Sequence, residues 1–137
     1  MFNDKLGGEL YSTAIDIYRD VMSILPSKEW LHWSQCANAM GSVVANIAEG
    51  NGKHGNGSKY YQNFCLHSRG SAFEVVAWLQ MGVIDGTVTE SNATTLEERL
   101  LALGDALFQE IKNPVTRKPL KLTLTKRVED LEHTDSL

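Results

Sequence analysis

Residues 50–55 read Gly-Asn-Gly-Lys-His-Gly, a literal G-x-G-x-x-G. In the dinucleotide-binding turn, that spacing lets the backbone approach a pyrophosphate at a helix N-terminus. The chemistry needs a strand before the glycines and a helix opening directly after them. Here an amphipathic helical pattern comes first, and no strand–helix–strand alternation exists anywhere in the chain. A Walker loop is excluded as well, because Gly57 is followed by Ser58 and Lys59 in place of Lys-Ser. Four glycines and two asparagines within residues 50–57 read instead as a loop between helices.

Metal chemistry is the next possibility. His32 and Cys36 stand four residues apart and can share a helix face, with Cys65 and His67 further on. A zinc site would require all of these to converge. Residues two apart on a helix point about 200° away from each other, which sets Cys65 against His67. No Glu-x-x-His pair of the di-iron bundles is present. Each cysteine reads more simply as a small buried apolar side chain. Serines and histidines are scattered, with no Gly-x-Ser-x-Gly elbow and no paired acid and base. The expectation is no catalytic residue, no metal and no cofactor.

Charge is more informative. No acidic residue occurs between Gly50 and Phe73, where Lys53, Lys59 and Arg69 are basic and His54 and His67 stand beside them. A second acid-free stretch runs from Lys112 to Val128 and contains Arg117, Lys118, Lys121, Lys126 and Arg127. The plain reading is a solvated loop and a solvated tail. The functional reading is a phosphate-binding surface, stronger if several copies present it together. The net charge of −4 opposes a protein that coats nucleic acid with its whole surface.

The chain has 137 residues, 42% hydrophobic and 22% charged, which suits one ordinary domain with a genuine core. No apolar run is long enough to span a bilayer, and the first ten residues lack the blocks of a signal peptide. With two cysteines and no disulfide framework, a cytoplasmic protein is expected.

Four segments carry helical periodicity. The first places Leu10, Ala14, Ile17, Val21 and Ile24 at steps of three and four, with Tyr11, Tyr18, Met22 and Leu25 widening the stripe, until Pro26 stops it. Ser27 is the predicted N-cap of the second, with Glu29 in its first turn. Its predicted seam is Trp30, Trp33, Ala37, Met40, Val44 and Ile47, and Gly50 is the predicted C′ residue. Ser58 caps the third, whose stripe is Tyr61, Phe64, Ser68, Ser71, Val75 and Trp78, flanked by Cys65, Ala72 and Leu79. Its small residues Ser68, Gly70, Ser71 and Ala72 predict a close helix neighbour, and Gly82 and Gly86 mark the exit. The fourth starts from a capping box, Thr87 with Glu90 or Thr94 with Glu97, and runs through Ala93, Leu96, Leu100, Leu103, Leu107 and Ile111 to Asn113-Pro114. Such helices with short connections predict an all-α, antiparallel up-down-up-down four-helix bundle over residues 1–113. Residues 114–137 form a separate basic arm, in which Leu120, Leu122 and Leu124 alternate with polar residues. That pattern fits a short strand or an arm ordered on a neighbour.

Two blocks carry a resemblance. Ala45-Asn46-Ile47-Ala48-Glu49-Gly50 is followed by Ser58, Tyr61 and Phe64, then by Arg69-Gly70-Ser71 with Glu74. Together they resemble the four-helix-bundle family encoded in intervening sequences of bacterial 23S ribosomal RNA genes, related in fold to the accessory variability proteins of diversity-generating retroelements. The similarity spans about residues 9–112. It implies homo-oligomers, typically pentamers, and marks Asn46, Glu49, Gly50, Gly70, Ser71 and Glu74 as motif positions. There are departures from the family pattern. The basic pair often found after the helix-two glutamine is replaced after Gln35 by Cys36, Ala37 and Asn38, the loop arginine is Lys53, and Gly55 and Gly57 lengthen the loop. A lysine keeps the charge but loses the bidentate fork.

The expectation that follows is a non-enzymatic bacterial bundle protein that self-associates. Its partner would be RNA or DNA, or a nucleic-acid-processing protein, with Lys53, Lys59 and Arg69 as phosphate contacts and no membrane involved. The alternative is a protein-interaction or structural oligomer that binds no nucleic acid. An enzyme with an intersubunit pocket around Asn46, Glu49 and Glu74 is a third, weaker reading.

Overall fold

The computed structural model describes residues 8–54 and 59–112. Over these residues the chain is all-α with no strand: α1 Gly8–Ile24, α2 Trp33–His54, α3 Lys59–Ile84 and α4 Glu90–Lys112. Each helix packs on its neighbours in the cycle α1, α2, α3, α4 and back to α1, and the diagonal pairs do not pack on each other. One core runs down the middle, with Leu10, Ala14, Ile17, Val21 and Ile24 of α1 and Leu96, Leu100, Leu103 and Leu107 of α4 all buried as their spacing predicts.

Helices α2 and α3 approach closely, and serines and a glycine make it possible. The buried Ser68 Oγ donates to the carbonyl of Val43 at 2.8 Å. Ser42 Oγ and Ser71 Oγ lie 2.9 Å apart in a hydrogen bond. Gly50 sits so close to Phe64 that a Cβ would fall 2.8 Å from the Phe64 Cβ. Residues 42, 43 and 50 of α2 thus meet residues 71, 68 and 64 of α3, stepping in opposite directions along the two helices.

Several local expectations are corrected. Gly50 does not end α2, which continues to His54, and it has no left-handed backbone. A glycine there admits Phe64. Residues 50–54, expected in the loop, are helical, and residues 55–58, including the predicted Ser58 cap, lie outside the described residues. Ser27 caps a turn: its Oγ accepts from the Glu29 N–H at 3.1 Å and its carbonyl from the Trp30 N–H at 3.1 Å, while α2 begins only at Trp33. The buried line of α2 is Cys36, Ala39, Met40, Val43 and Ile47, rotated from the predicted seam so that Trp33, Ala37 and Val44 are only half-buried. On α3, Phe64, Ser71 and Trp78 are half-buried, and Gly70 is exposed with nothing near its Cβ position, so it serves no close approach. The cap of α4 is neither predicted box but Thr89, whose Oγ1 accepts from the Asn92 N–H at 3.1 Å. Residues 114–137, predicted as an arm, lie outside the described residues, as does Asn113.

At the α3–α4 turn, Gly86 takes φ +85, a conformation that side chains disfavour. Beside it the Asp85 carboxylate accepts from Trp30 Nε1 at 3.0 Å and from the Thr87 N–H at 3.0 Å, and it also bonds the Thr87 hydroxyl. This clip ties the turn before α2 to the turn after α3. Burial pushes the Asp85 carboxyl up. The Thr87 and Trp30 side-chain bonds, the Thr87 amide and the charge of nearby His32 outweigh it and hold the group below its ordinary value. A folded pKa below the unfolded one gives stability above the unfolded value, ~3.9, that is lost as pH falls through the folded value.

Two outcomes follow. Gly50→Ala forces the α2–α3 backbones apart, costing about 1–3 kcal/mol, whereas Gly70→Ala in an open helical site gains about 0.5–1 kcal/mol; paired thermal melts read both signs. Asp85→Asn lowers the Tm by a few degrees at pH 7, and the difference from the wild type closes as pH falls below about 4. A gap that is constant with pH removes the carboxylate from the clip.

Candidate functional site

The two motif blocks meet at the α2–α3 seam. The Asn46 amide Nδ2 donates to the Ser42 carbonyl at 2.8 Å and to Ser42 Oγ at 3.0 Å, and that hydroxyl bonds Ser71 across the helices. Asn46, Ser42 and Ser71 therefore form one polar chain that joins the blocks. Asn46 bonds only within α2, to Ser42, and it is Ser42 that bridges to α3. Glu49, Gly70 and Glu74 are exposed. Ser42, not singled out from the sequence, is the joint of this chain; its place one turn before Asn46 is the available signal.

The three predicted cations do not form one cluster. Lys53 lies in the last turn of α2, and Lys59 is the exposed first residue of α3, so these two flank the α2–α3 connection. Arg69 lies ten residues further along α3, a rise of about 15 Å. Its guanidinium carbon stands 4.6 Å from the Phe73 ring centroid and 4.9 Å from that of Phe108 on α4. Its Nε is buried with no hydrogen-bond partner among the described residues. Arg69 is thus a half-buried cation laid across two aromatic rings, and only the outer part of its fork is left for an anion.

The residues considered for metal chemistry are placed otherwise. His32 lies between Trp30, edge-on at 5.5 Å, and Trp78 at 5.1 Å. Cys36 and Cys65 are buried, and neither forms a disulfide. Among the described residues no three His, Cys, Asp or Glu side chains stand together as a metal-binding group. Burial, and secondarily the charge of Glu74, pushes the Cys36 thiol up to about 12. A thiol in that state is a poor nucleophile near neutral pH.

Sequence reading also misses the most deeply buried charges. Arg99 Nη1 of α4 donates to the carboxylate of Asp20 on α1, and both side chains are almost fully buried. The signal is present: Asp20 stands three residues after Ile17 and Arg99 three after Leu96, both on apolar stripes.

A family model, 23S rRNA-intervening sequence protein, matches residues 9–109. The chain belongs to that family. No curated protein and no solved structure matches it. Among the described residues no helix is long and apolar enough to cross a membrane.

The buried thiols predict slow chemistry. At pH 8, a thiol reagent modifies neither cysteine in the native protein and both on unfolding, as counted by intact mass. Fast modification of native Cys36 would contradict its burial.

Proposed function

We propose that the protein is a non-enzymatic, cytoplasmic bacterial bundle with antiparallel up-down-up-down topology that self-associates, as a pentamer by family resemblance, and binds or scaffolds RNA or a nucleic-acid-associated protein. The observation that carries the RNA reading is the acid-free run from Gly50 to Phe73, which places exposed Lys59 and the α2 end with Lys53 on either side of one connection. Phosphates are recognised by such cations without any pocket. The family's description, 23S rRNA-intervening sequence protein, is in keeping with a ribosomal RNA context. Self-association is supported by apolar surface beyond what one bundle uses, including Leu31, 82% exposed beside the half-buried Trp33.

The second reading is a structural or protein-interaction oligomer that touches no nucleic acid. It is favoured by the net charge of −4 and by the packing of Arg69 on Phe73 and Phe108, which gives that cation a task within the fold.

Anisotropy titration with a structured 23S rRNA hairpin and a scrambled control, at low and physiological salt, separates the two. In the first reading binding weakens with salt and favours the hairpin. Replacing Lys53, Lys59 and Arg69 with alanine then flattens the salt slope by roughly 0.7–0.9 for each phosphate no longer neutralised. Arg69→Lys keeps the slope if Arg69 acts through charge alone. An unchanged slope in the triple variant removes these residues from the role, and no binding at low salt leaves the second reading.

A further inference from the structure

Helix α3 is apolar on two opposite sides. Its buried side carries Tyr61, Cys65, Ala72, Val75 and Leu79. On its outer side Leu66, Phe73 and Ile84 recur at steps of seven and eleven, which bring them to nearly one direction, with Met81 alongside. All four are exposed, Leu66 by 52% and Ile84 by 86%. Exposed Leu101 and Phe108 of α4 extend the surface: Phe73 reaches 3.0 Å from the Cβ position of Gly104, one turn after Leu101, and Arg69 bridges the Phe73 and Phe108 rings. Acidic Glu98 and Asp105 of α4 are exposed, with Asp105 between Leu101 and Phe108 on the outer side of α4. A groove of this composition needs a cover that is apolar along its middle and carries a cation for the α4 acids.

We propose that residues 118–126 of the same chain lie extended along this α3–α4 groove of their own subunit. The segment reads Lys-Pro-Leu-Lys-Leu-Thr-Leu-Thr-Lys. In an extended chain alternate residues share a side, which puts Lys118, Leu120, Leu122, Leu124 and Lys126 on one: three leucines for the apolar floor, with Lys126 toward the Glu98 end of α4. Arg117, Lys121 and Arg127 then face outward. Lengths agree as well. Nine extended residues cover about 27 Å, and α3 rises about 27 Å from Leu66 to Ile84. The starting point is favourable, because α4 ends at Lys112, whose Nζ stands 5.2 Å from the Phe108 ring, and the five residues 113–117 suffice to turn the chain back over the groove. Asn113 precedes Pro114 and Lys118 precedes Pro119, and a residue before proline is biased to extended backbone. This inference depends on neither the RNA reading nor self-association.

Hydroxyl-radical footprinting of the full chain, read by mass spectrometry across a dilution series, tests it. In the wild type Phe73, Met81 and Phe108 are oxidised slowly at every concentration. In Leu120→Ser/Leu122→Ser/Leu124→Ser their oxidation rises several-fold, while Leu31, exposed and off the groove, is unchanged. Lys126→Glu raises it too, with the leucines intact. Equal labelling of wild type and both variants overturns the proposal. Protection that disappears on dilution also overturns it and assigns the groove to a second copy.

Discussion

The rest of the molecule depends on how closely α2 and α3 come together. Two helices can approach this far only where side chains are missing or small. Gly50 leaves the room that Phe64 fills, and Ser68 and Ser71 put hydroxyls where larger side chains would hold the backbones apart. Closeness then allows a hydroxyl to reach a main-chain carbonyl across the interface, at Val43, a bond that a wider spacing would forbid. Asn46 and Ser71, one polar position from each motif block, are tied together here through Ser42, so these two positions act first of all on one helix pair.

The other side of the bundle is held differently. Helix α1 touches α2 and α4 and leaves α3 alone, and its apolar stripe is interrupted by Asp20, which meets Arg99 in the interior. Removing two charges from water is costly, and a well-packed apolar pair of the same size is often as stable. What such a pair does provide is selectivity of docking: a helix slipped by one turn would bury a carboxylate without its guanidinium. The apolar steps of α1 alone would fit α4 in more than one register.

Much of this is legible in the sequence. The stripes of α1 and α4 are clean because each of these helices has one apolar face and several charges on the other, and periodicity then gives burial directly. Spacing places the buried line of α2 wrongly by a rotation because Trp33, Ala37 and Val44 are as apolar as Cys36, Ala39 and Val43, and nothing in the pattern ranks the two lines. It ends the helix too early because glycine answers two needs, a reversed backbone and a missing side chain, and only the position of Phe64 tells them apart. Thr89 does not stand out as a cap since Asn92, not Glu, stands three residues on. The basic residues are evident from their types, but their grouping is not: Arg69 is drawn away by Phe108, a partner 39 residues distant in sequence.

The aromatic end of the molecule has an optical consequence. All three tryptophans, Trp30, Trp33 and Trp78, sit where α2 begins and α3 nears its end, around His32 and the Asp85 clip. The α2–α3 connection lies at the far end of a 22-residue helix, a distance of about 33 Å. Intrinsic emission is therefore a local gauge of the turn between α3 and α4, and blind to whatever happens beside Lys53 and Lys59. A ligand arriving at that far end would leave the spectrum untouched, and a dye placed there would report it instead.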